Sequence, residues 1–205
     1  LFTCFILVLF GGSLFWFIKS EAGPKPGQAV ADLGREHVPA GTKVQYNSNP
    51  PTSGPHFAEW ERAGIYDQPL TDGKLVHSLE HGYIIISYNC DASPLESLLP
   101  DFLRVKVFAH NEEEATTSAS GAQQPHLDLS KWKSDKACQE LVDNLTQITK
   151  KEGLKKLIVV PRPSLDTRIA LTAWARIDKF TEFNPERIHL FVKTFRDKGP
   201  ERTME

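Results

Sequence analysis

The sequence predicts an α+β fold, in which a small, mainly antiparallel sheet carries helices on one face and follows one N-terminal transmembrane helix. Three observations lead to this prediction. The first 18 residues carry no charge, and the later patterns run in the order strand, helix, strand, strand, helix. The two adjacent strand patterns, residues 156–160 and 168–177, are also close enough in the chain to pair antiparallel.

The predicted membrane anchor comprises residues 1–19. As a helix, its uncharged run would span roughly 27 Å, which is close to the thickness of a bilayer core. The aromatic residues 15–17 and Lys19 at its end suit the interface between lipid and water. A cleaved signal peptide is the alternative, but no clear small-x-small cleavage pattern follows the run. We therefore expect a retained anchor in the lipid bilayer, followed by a Gly- and Pro-rich linker at residues 20–36.

The predicted domain comprises residues 37–201. The pattern of its first half predicts two strands and one ordered loop. Residues 44–46 predict a short strand, and the Pro- and Gly-rich stretch that continues to Phe57 predicts an irregular loop. Residues 82–88 are rich in β-branched and aromatic side chains, which predicts a core strand. The residues around 91–130 include a stretch of low apolar content, so we expect an exposed insertion there.

The second half of the domain predicts two helices around the two closely spaced strands. Leu141, Leu145 and Ile148 recur at helical spacing, and Gly153 offers a stop. Asn184 is a suitable N-cap for a final helix. The apolar face of that helix would consist of Ile188, Phe191, Val192 and Phe195.

Charge and cysteine usage limit the classes of partner and the compartment. The formal net charge is -2, so no basic field points to a nucleic-acid partner. Cys90 and Cys138 could form a disulfide, or they could be two unrelated buried thiols. A disulfide would place the domain in an oxidising, extracytoplasmic compartment, either periplasmic or lumenal.

His77, Glu80 and His81 match H-x-x-E-H, the inverted zinc-peptidase motif. That chemistry requires a substantial helix around the motif, a third ligand downstream and a glutamate that can activate water. Here an apolar strand follows the motif immediately. The sequence therefore argues against a metallopeptidase and favours a protein that is not an enzyme.

His77 and His81 can still share a metal ion if residues 77–81 are helical. Residues four apart lie on one face of a helix, about 6 Å apart, whereas on a strand they lie roughly 13 Å apart. Gly82 permits a sharp break between such a helical turn and the strand. We therefore expect a turn at residues 77–81 that presents both imidazoles together.

His56 ends the loop NPPTSGPH, which can hold its side chain at a fixed point. If this loop packs against the turn at residues 77–81, then His56, His77 and His81 converge as ligands for copper or zinc. Glu80 could be a further ligand, a group that orients a ligand, or neither. The alternative is that each histidine has a structural role and binds backbone groups.

Met204 is the only methionine in the chain and lies in the tail GPERTME. A thioether is a soft ligand that favours copper over zinc when it is combined with imidazoles. Met204 is therefore a possible additional ligand in the tail, residues 202–205, although a tail residue without a role is the simpler interpretation. The other histidines, His37, His110, His126 and His189, have no comparable context.

Several stretches of the chain resemble a prokaryotic family of membrane-anchored proteins, a domain of unknown function with the number 3105. The resemblance covers roughly residues 37–201, and its most specific motifs are NPPTSGPH and H-x-x-E-H-G. It implies an N-terminal anchor and one compact domain, but no established activity. The family's motif residues correspond to His56, His77, Glu80, His81 and Gly82. The insertion around residues 91–130 and the cysteine pair depart from the family's usual pattern. The matching stretches are HVPAGTKVQYNSNPPTSGPHF, LVHSLEHGYIIISYN, VVPRP, IALTAWARI and FVKTFRDKGPE.

Two functions are consistent with these patterns. The first is a membrane-anchored, extracytoplasmic protein with a histidine-lined copper or zinc site that binds or delivers metal. The second is an accessory subunit of a larger membrane protein complex, in which the histidines are structural and the exposed insertion docks to a partner. The two functions differ in whether the purified protein carries a metal ion.

Overall fold

The structure is a computed structural model that describes residues 25–92, 129–201 and 203. These residues form one mixed, six-stranded sheet and four helices, which confirms the α+β class. The strands are β1 (Gln28–Ala29), β2 (Gly64–Ile65), β3 (Ile84–Tyr88), β4 (Leu157–Pro161), β5 (Ile169–Ala173) and β6 (Arg176–Phe180). The helices are α1 (Asp72–Glu80), α2 (Ser130–Ser134), α3 (Lys136–Lys151) and α4 (Pro185–Phe195).

The strand order is β1-β6-β5-β3-β4-β2, with β3 near the centre. β3 pairs parallel with β4 and antiparallel with β5, so it lies between them. The predicted antiparallel pairing of β4 with β5, which was based on their closeness in sequence, is therefore wrong. The reason lies in β3, whose IIISY residues are all buried. A strand that is apolar on both faces is stable only in the interior of a sheet, and this preference outweighs closeness along the chain.

Residues 168–177 contain a hairpin rather than one strand. β5 and β6 pair antiparallel with Ala173 opposite Arg176, so Trp174 and Ala175 form a two-residue turn. Ala175 has a φ of 54°, in the left-handed region where Gly, Asn and Asp are usual. Because none of those residues occupies the turn, the sequence pattern gave no sign of it.

The helices cover both faces of the sheet, so the prediction of helices on one face is wrong for α1. One core contains Ile84 and Ile86 together with residues of α2, α3 and α4. The other contains Ile85 and Ile158, which pack against Leu75 and Leu79 of α1. Since β3 and β4 are apolar on both faces, each face needs its own layer of cover.

Two segments before α1 also differ from the predictions. Residues 44–46 form no strand; instead the hydroxyl of Tyr46 donates a hydrogen bond to the carbonyl of Pro55. Part of the predicted linker belongs to the sheet, because Gln28 and Ala29 pair with β6. Of these two segments, the one with Tyr46 directly contacts the loop that carries His56.

The predicted final helix and the predicted cysteine pair are both confirmed. The side chain of Asn184 accepts a hydrogen bond from the amide of Arg187 and caps α4. Cys90 and Cys138 form a disulfide with their Cα atoms 5.3 Å apart. This bond joins the end of β3 to the first turn of α3, on the face of the sheet opposite α1.

Within the described residues, every helix is too short or too polar to cross a membrane. The predicted anchor at residues 1–19 lies outside the described residues, as do Met204 and most of the insertion around 91–130.

Candidate metal centre

Helix α1 positions His77, Glu80 and His81 at its C-terminal end. The amide of His81, the C-cap residue, donates to the carbonyl of His77 at 3.1 Å, which is the helical pattern. Gly82 then adopts a φ of 81°, and the chain turns into the core strand. The predicted helical turn at residues 77–81 is therefore confirmed, and the helix extends further back, to Asp72.

The loop that carries His56 is fixed by backbone hydrogen bonds to a neighbouring segment. The amide of Gly54 donates to the carbonyl of Gly34, and the amide of His56 donates to the carbonyl of Glu36. The hydroxyl of Ser53 accepts a hydrogen bond from the amide of Leu33. These hydrogen bonds fix residues 53–56 against residues 33–36. The His56 ring therefore has a defined position.

Arg162, the arginine of VVPRP, joins this loop to the start of α1. Its Nε donates to Oδ1 of Asn49 at 2.7 Å. Its two terminal nitrogens bind the carboxylate of Asp72 at 2.5 and 3.0 Å. A planar guanidinium can hold a carboxylate and a second acceptor at once, so this side chain fixes the loop relative to the helix.

His56 is fully buried, and both of its ring nitrogens have partners. Nδ1 lies 2.8 Å from the carbonyl of Gly54 and must donate to it, since a carbonyl only accepts. Nε2 lies 2.9 Å from Oε2 of Glu80. A neutral ring in this tautomer directs a lone pair at a carboxylate, so a proton or a metal cation must lie between the two atoms.

His77 has the same tautomer, imposed in the same way. Its Nδ1 donates to the carbonyl of Phe57 at 2.7 Å, and its Nε2 lies 3.1 Å from Nε2 of His81. Burial lowers the pKa of His77 below its ordinary value of 6.5, and the nearby rings of His81, His56 and His37 lower it further, against the opposing effect of the Phe57 hydrogen bond. A neutral Nε2 is the form that binds metal.

His37, which the sequence pattern did not single out, also belongs to this cluster. It forms an isolated parallel bridge with His56. The ring centroids of His37, His56 and His77 are 4.9, 5.0 and 5.0 Å apart, so the three imidazoles form a nearly equilateral triangle. The contact between His37 and His56 is a tertiary one, so local spacing in the sequence does not reveal it. The sequence signal for His37 was its place at the start of the first stretch that resembles the family.

Glu80 lies among these rings with only 3% of its surface exposed. Its Oε2 is 2.9 Å from His56 and 3.9 Å from Nε2 of His37, while its Oε1 is 3.7 Å from the exposed guanidinium of Arg35. The sequence left three roles open for Glu80: a ligand, a group that orients a ligand, or neither. Its contact with His56 argues against the third role. The carboxylate can bind a metal ion directly or orient His56.

Among the residues that the structure describes, the donor atoms fall into two groups that share His77. One group comprises His37, His56, His77 and Glu80, and the other comprises His77, His81 and Glu201; within each, the ligand atoms lie within 4.8 Å of one another. The predicted trio of His56, His77 and His81 is thus divided between the groups. His77 is the residue that joins them.

Glu201 is brought to His81 by the chain that follows α4. Its amide donates to the carbonyl of Glu80 at 3.0 Å, and its Oε2 lies 3.7 Å from Nε2 of His81. The buried ammonium of Lys156 donates to the carbonyls of His81 and Thr203, both at 2.9 Å. The tail is therefore held against the end of α1. The sequence pattern missed Glu201, since only packing brings residues so far apart together.

Two tryptophans border the histidine cluster. The ring of Trp60 is 5.0 Å from that of His81 and 5.5 Å from that of His77, and 42% of this residue is exposed. The ring of Trp174 is 6.3 Å from that of His56. Aromatic side chains in this position limit the access of water to the imidazoles beside them.

Comparison with known proteins identifies a family but no characterised relative. No curated protein and no solved structure matches the chain. The family described as "Protein of unknown function (DUF3105)" matches residues 37–135 and 129–205. The matched region contains both donor groups. The chain therefore belongs to the DUF3105 family.

Proposed function

We propose that this domain binds one transition-metal ion, copper or zinc, through His37, His56, His77 and Glu80, and that it stores or delivers the ion rather than catalysing a reaction. The observation that carries the proposal is the shared tautomer of His56 and His77. Both buried rings donate Nδ1–H to backbone carbonyls, which leaves Nε2 of each ring as the nitrogen that can bind a metal; both residues belong to one group of donor atoms within 4.8 Å of one another. Metal-binding histidines are oriented by the same kind of outer hydrogen bond.

The spacing of the donors supports a common ion. Two ligand atoms that bind one ion at ~2.0 Å lie roughly 2.9 to 3.4 Å apart, depending on the coordination angle. The distance from Nε2 of His56 to Oε2 of Glu80 is 2.9 Å, at the short end of that range. Nε2 of His37 lies further from Oε2 of Glu80, at 3.9 Å. The side chain of His37 is half exposed, so it can rotate towards the ion.

Electrostatics also favour a cation among these groups. A buried carboxylate is costly unless a positive charge or several donors compensate it. The nearest guanidinium, that of Arg35, is mostly exposed and lies 3.7 Å away, so it is a weak partner. A divalent ion between Glu80 and the imidazoles would compensate the charge and also occupy the lone pairs.

Donor chemistry favours copper and zinc among the common metals. Imidazole suits both ions, and the general order of affinities places copper(II) above zinc(II). Met204 would add a soft ligand that selects copper, in particular copper(I), if the tail brings it to the site. The anchor predicted at residues 1–19 would hold this site at the extracytoplasmic surface of the bilayer, where the disulfide is also expected.

Metal analysis of the purified chain, prepared without chelator and reloaded with zinc or copper, tests the proposal. We expect one ion per chain in the wild type. The His56→Ala and His37→Ala variants should bind the ion roughly 100-fold more weakly. The His189→Ala variant is the control, because His189 pairs with Glu152 outside both donor groups. A reloaded wild type that stays free of metal would contradict the proposal.

The accessory-subunit function remains the second candidate, and exposed apolar side chains near the site favour it. Leu33 and Trp60 are 40% and 42% exposed, and both lie on segments that contact the histidine cluster. In this function, protons rather than a metal would hold the histidines, and a partner would cover these side chains. Purification in mild detergent would then recover a complex that a Trp60→Ala variant loses, whereas recovery of free protein alone would argue against it.

A further inference from the structure

We infer that the ion occupies two alternative positions, and that His77 carries it from the four-residue group (His37, His56, His77 and Glu80) to the three-residue group (His77, His81 and Glu201). The four-residue group is the storage position, and the three-residue group is the position from which the ion is released to an acceptor. This inference rests on the proposed function.

His77 can bind only one ion. Its Nδ1–H is committed to the carbonyl of Phe57, so Nε2 is the single nitrogen available, with one lone pair. His77 nevertheless belongs to both groups, and Nε2 is the nitrogen that it can offer to either of them. Two ions bound to the same nitrogen at ~2.0 Å would lie within roughly 4 Å of each other and repel strongly. The two groups are therefore alternatives and not a two-metal centre.

The two groups differ in donor number but not in charge. Each contains one carboxylate, Glu80 or Glu201, so an ion that moves between them keeps the same formal charge around it. The first group offers four donors, which can complete a tetrahedral shell, whereas the second offers three. A three-donor group leaves a coordination position open for an incoming ligand, as open metal sites do.

The backbone of Glu201 is held in place independently of any ion. Its amide binds the carbonyl of Glu80, and Gly199 approaches so closely that a Cβ there would lie 2.1 Å from that carbonyl oxygen. Only glycine permits this contact. Lys156, which also pairs with Asp197 at 3.0 Å, fixes the same stretch to the carbonyl of His81. The second carboxylate is therefore held beside the histidine pair, and 51% of its side chain is exposed.

The transfer is a ligand exchange without change of oxidation state. The ion keeps its bond to Nε2 of His77 while the bonds to His37, His56 and Glu80 are replaced by bonds to His81 and Glu201. His81 is already 3.1 Å from His77, so only a short displacement is needed. The acceptor then binds at the open position and displaces the remaining protein ligands.

The test measures zinc stoichiometry and the rate of zinc transfer on the full chain. Calorimetric titration with zinc alone should give one ion per chain. Stopped-flow transfer to a chromophoric chelator should be faster at higher chelator concentration, and roughly tenfold slower in the Glu201→Gln and His81→Gln variants. Glu201→Gln keeps the backbone contact to Glu80, so it tests the exchange even if His81→Gln folds poorly. Glu59→Gln and His189→Gln, outside both groups, should transfer zinc at the wild-type rate.

The outcomes separate this inference from the proposed function. One ion per chain with slow transfer in Glu201→Gln supports the inference. Two tightly bound ions per chain, or transfer at the wild-type rate in Glu201→Gln, would overturn it and leave a metal-binding function in place. A wild-type chain that binds no zinc or copper would overturn both.

Discussion

At the scale of single residues, His77 is held neutral by its surroundings. Burial is the main cause of its lowered pKa, and three neighbouring imidazoles act in the same direction. Its Nδ1–H is fixed by a backbone carbonyl, so the lone pair that remains is always on Nε2. A neutral, oriented imidazole is ready to bind metal but costs stability in acid, because the folded state resists its protonation.

The first prediction concerns the pH dependence of the metal-free protein. The unfolded chain protonates His77 near pH 6.5, whereas the folded chain does so only at lower pH. The contribution of His77 to the free energy of unfolding is therefore complete above pH 6.5 and is lost as the pH falls from 6.5 through the lower, folded pKa. Urea denaturation with chelator at several pH values should show this slope, and His77→Gln should reduce it. An identical slope in the variant would contradict the assignment.

The second prediction uses Trp60 as a reporter of the metal. Because its ring lies 5.0 Å from that of His81, copper(II) bound at either donor group should quench its fluorescence. Trp60→Phe should remove much of the quenching that copper causes in the wild type. Trp132→Phe is the matched control, since Trp132 packs in the core on the opposite face of the sheet. Equal quenching in both variants would argue against a site beside Trp60.

At the scale of elements, the centre depends on how the His56 loop and helix α1 are joined. Arg162 contacts Asn49 on the loop and Asp72 in the first turn of the helix. Its side chain is 14% exposed, so its ion pair is partly screened from water. Two segments distant in sequence thus depend on one guanidinium for their mutual position.

The third prediction follows from this contact. Arg162→Ala should lower the free energy of unfolding by about 2 to 3 kcal/mol, because Asp72 loses a partly buried partner. It should also weaken zinc binding, since the loop is no longer fixed to the helix. Lys179→Ala is the control; Lys179 pairs with the exposed Asp166, and its loss should cost at most about 1 kcal/mol. Chemical denaturation and zinc titration measure both effects, and normal zinc affinity in Arg162→Ala would contradict this role.

The sequence predicted the local features of these elements better than their arrangement. The Asn184 cap, the strand after Gly82 and the helical turn of HSLEH depend on neighbouring residues, so their patterns were visible. The position of β3 between β4 and β5 depends on burial of a whole strand, which local spacing does not encode. For the same reason, NPPTSGPH and HSLEH indicated His56 and His77, whereas His37 and Glu201 could be found only after folding.

At the scale of the whole molecule, the sheet separates a disulfide-bonded face from the face that carries the two donor groups. The disulfide and the larger core lie with α2, α3 and α4 on one side. Helix α1 lies on the other side, and its C-terminal end carries His77, Glu80 and His81 of the two donor groups. The two faces share the strands β3 and β4, but the donor groups include no residue of the disulfide-bonded core.

The fourth prediction is that stability and metal binding respond separately to loss of the disulfide. Cys90 and Cys138 are 48 residues apart in sequence. On the chain-entropy model, the free energy of unfolding of a Cys90→Ala/Cys138→Ala variant should be about 4 kcal/mol lower than that of the wild type. Below its unfolding temperature, the variant should bind zinc as the wild type does. A large loss of zinc affinity in the folded variant would show that the faces are not independent.

X-ray absorption spectroscopy of the zinc-loaded chain tests the proposed ligands most directly, because it reports the atoms bound to the ion. We expect three imidazole nitrogens and one carboxylate oxygen at ~2.0 Å. The shell should lose one imidazole in the His37→Gln variant and remain unchanged in His189→Gln. A wild-type shell of water oxygens with at most one imidazole would show that these four residues do not hold the ion.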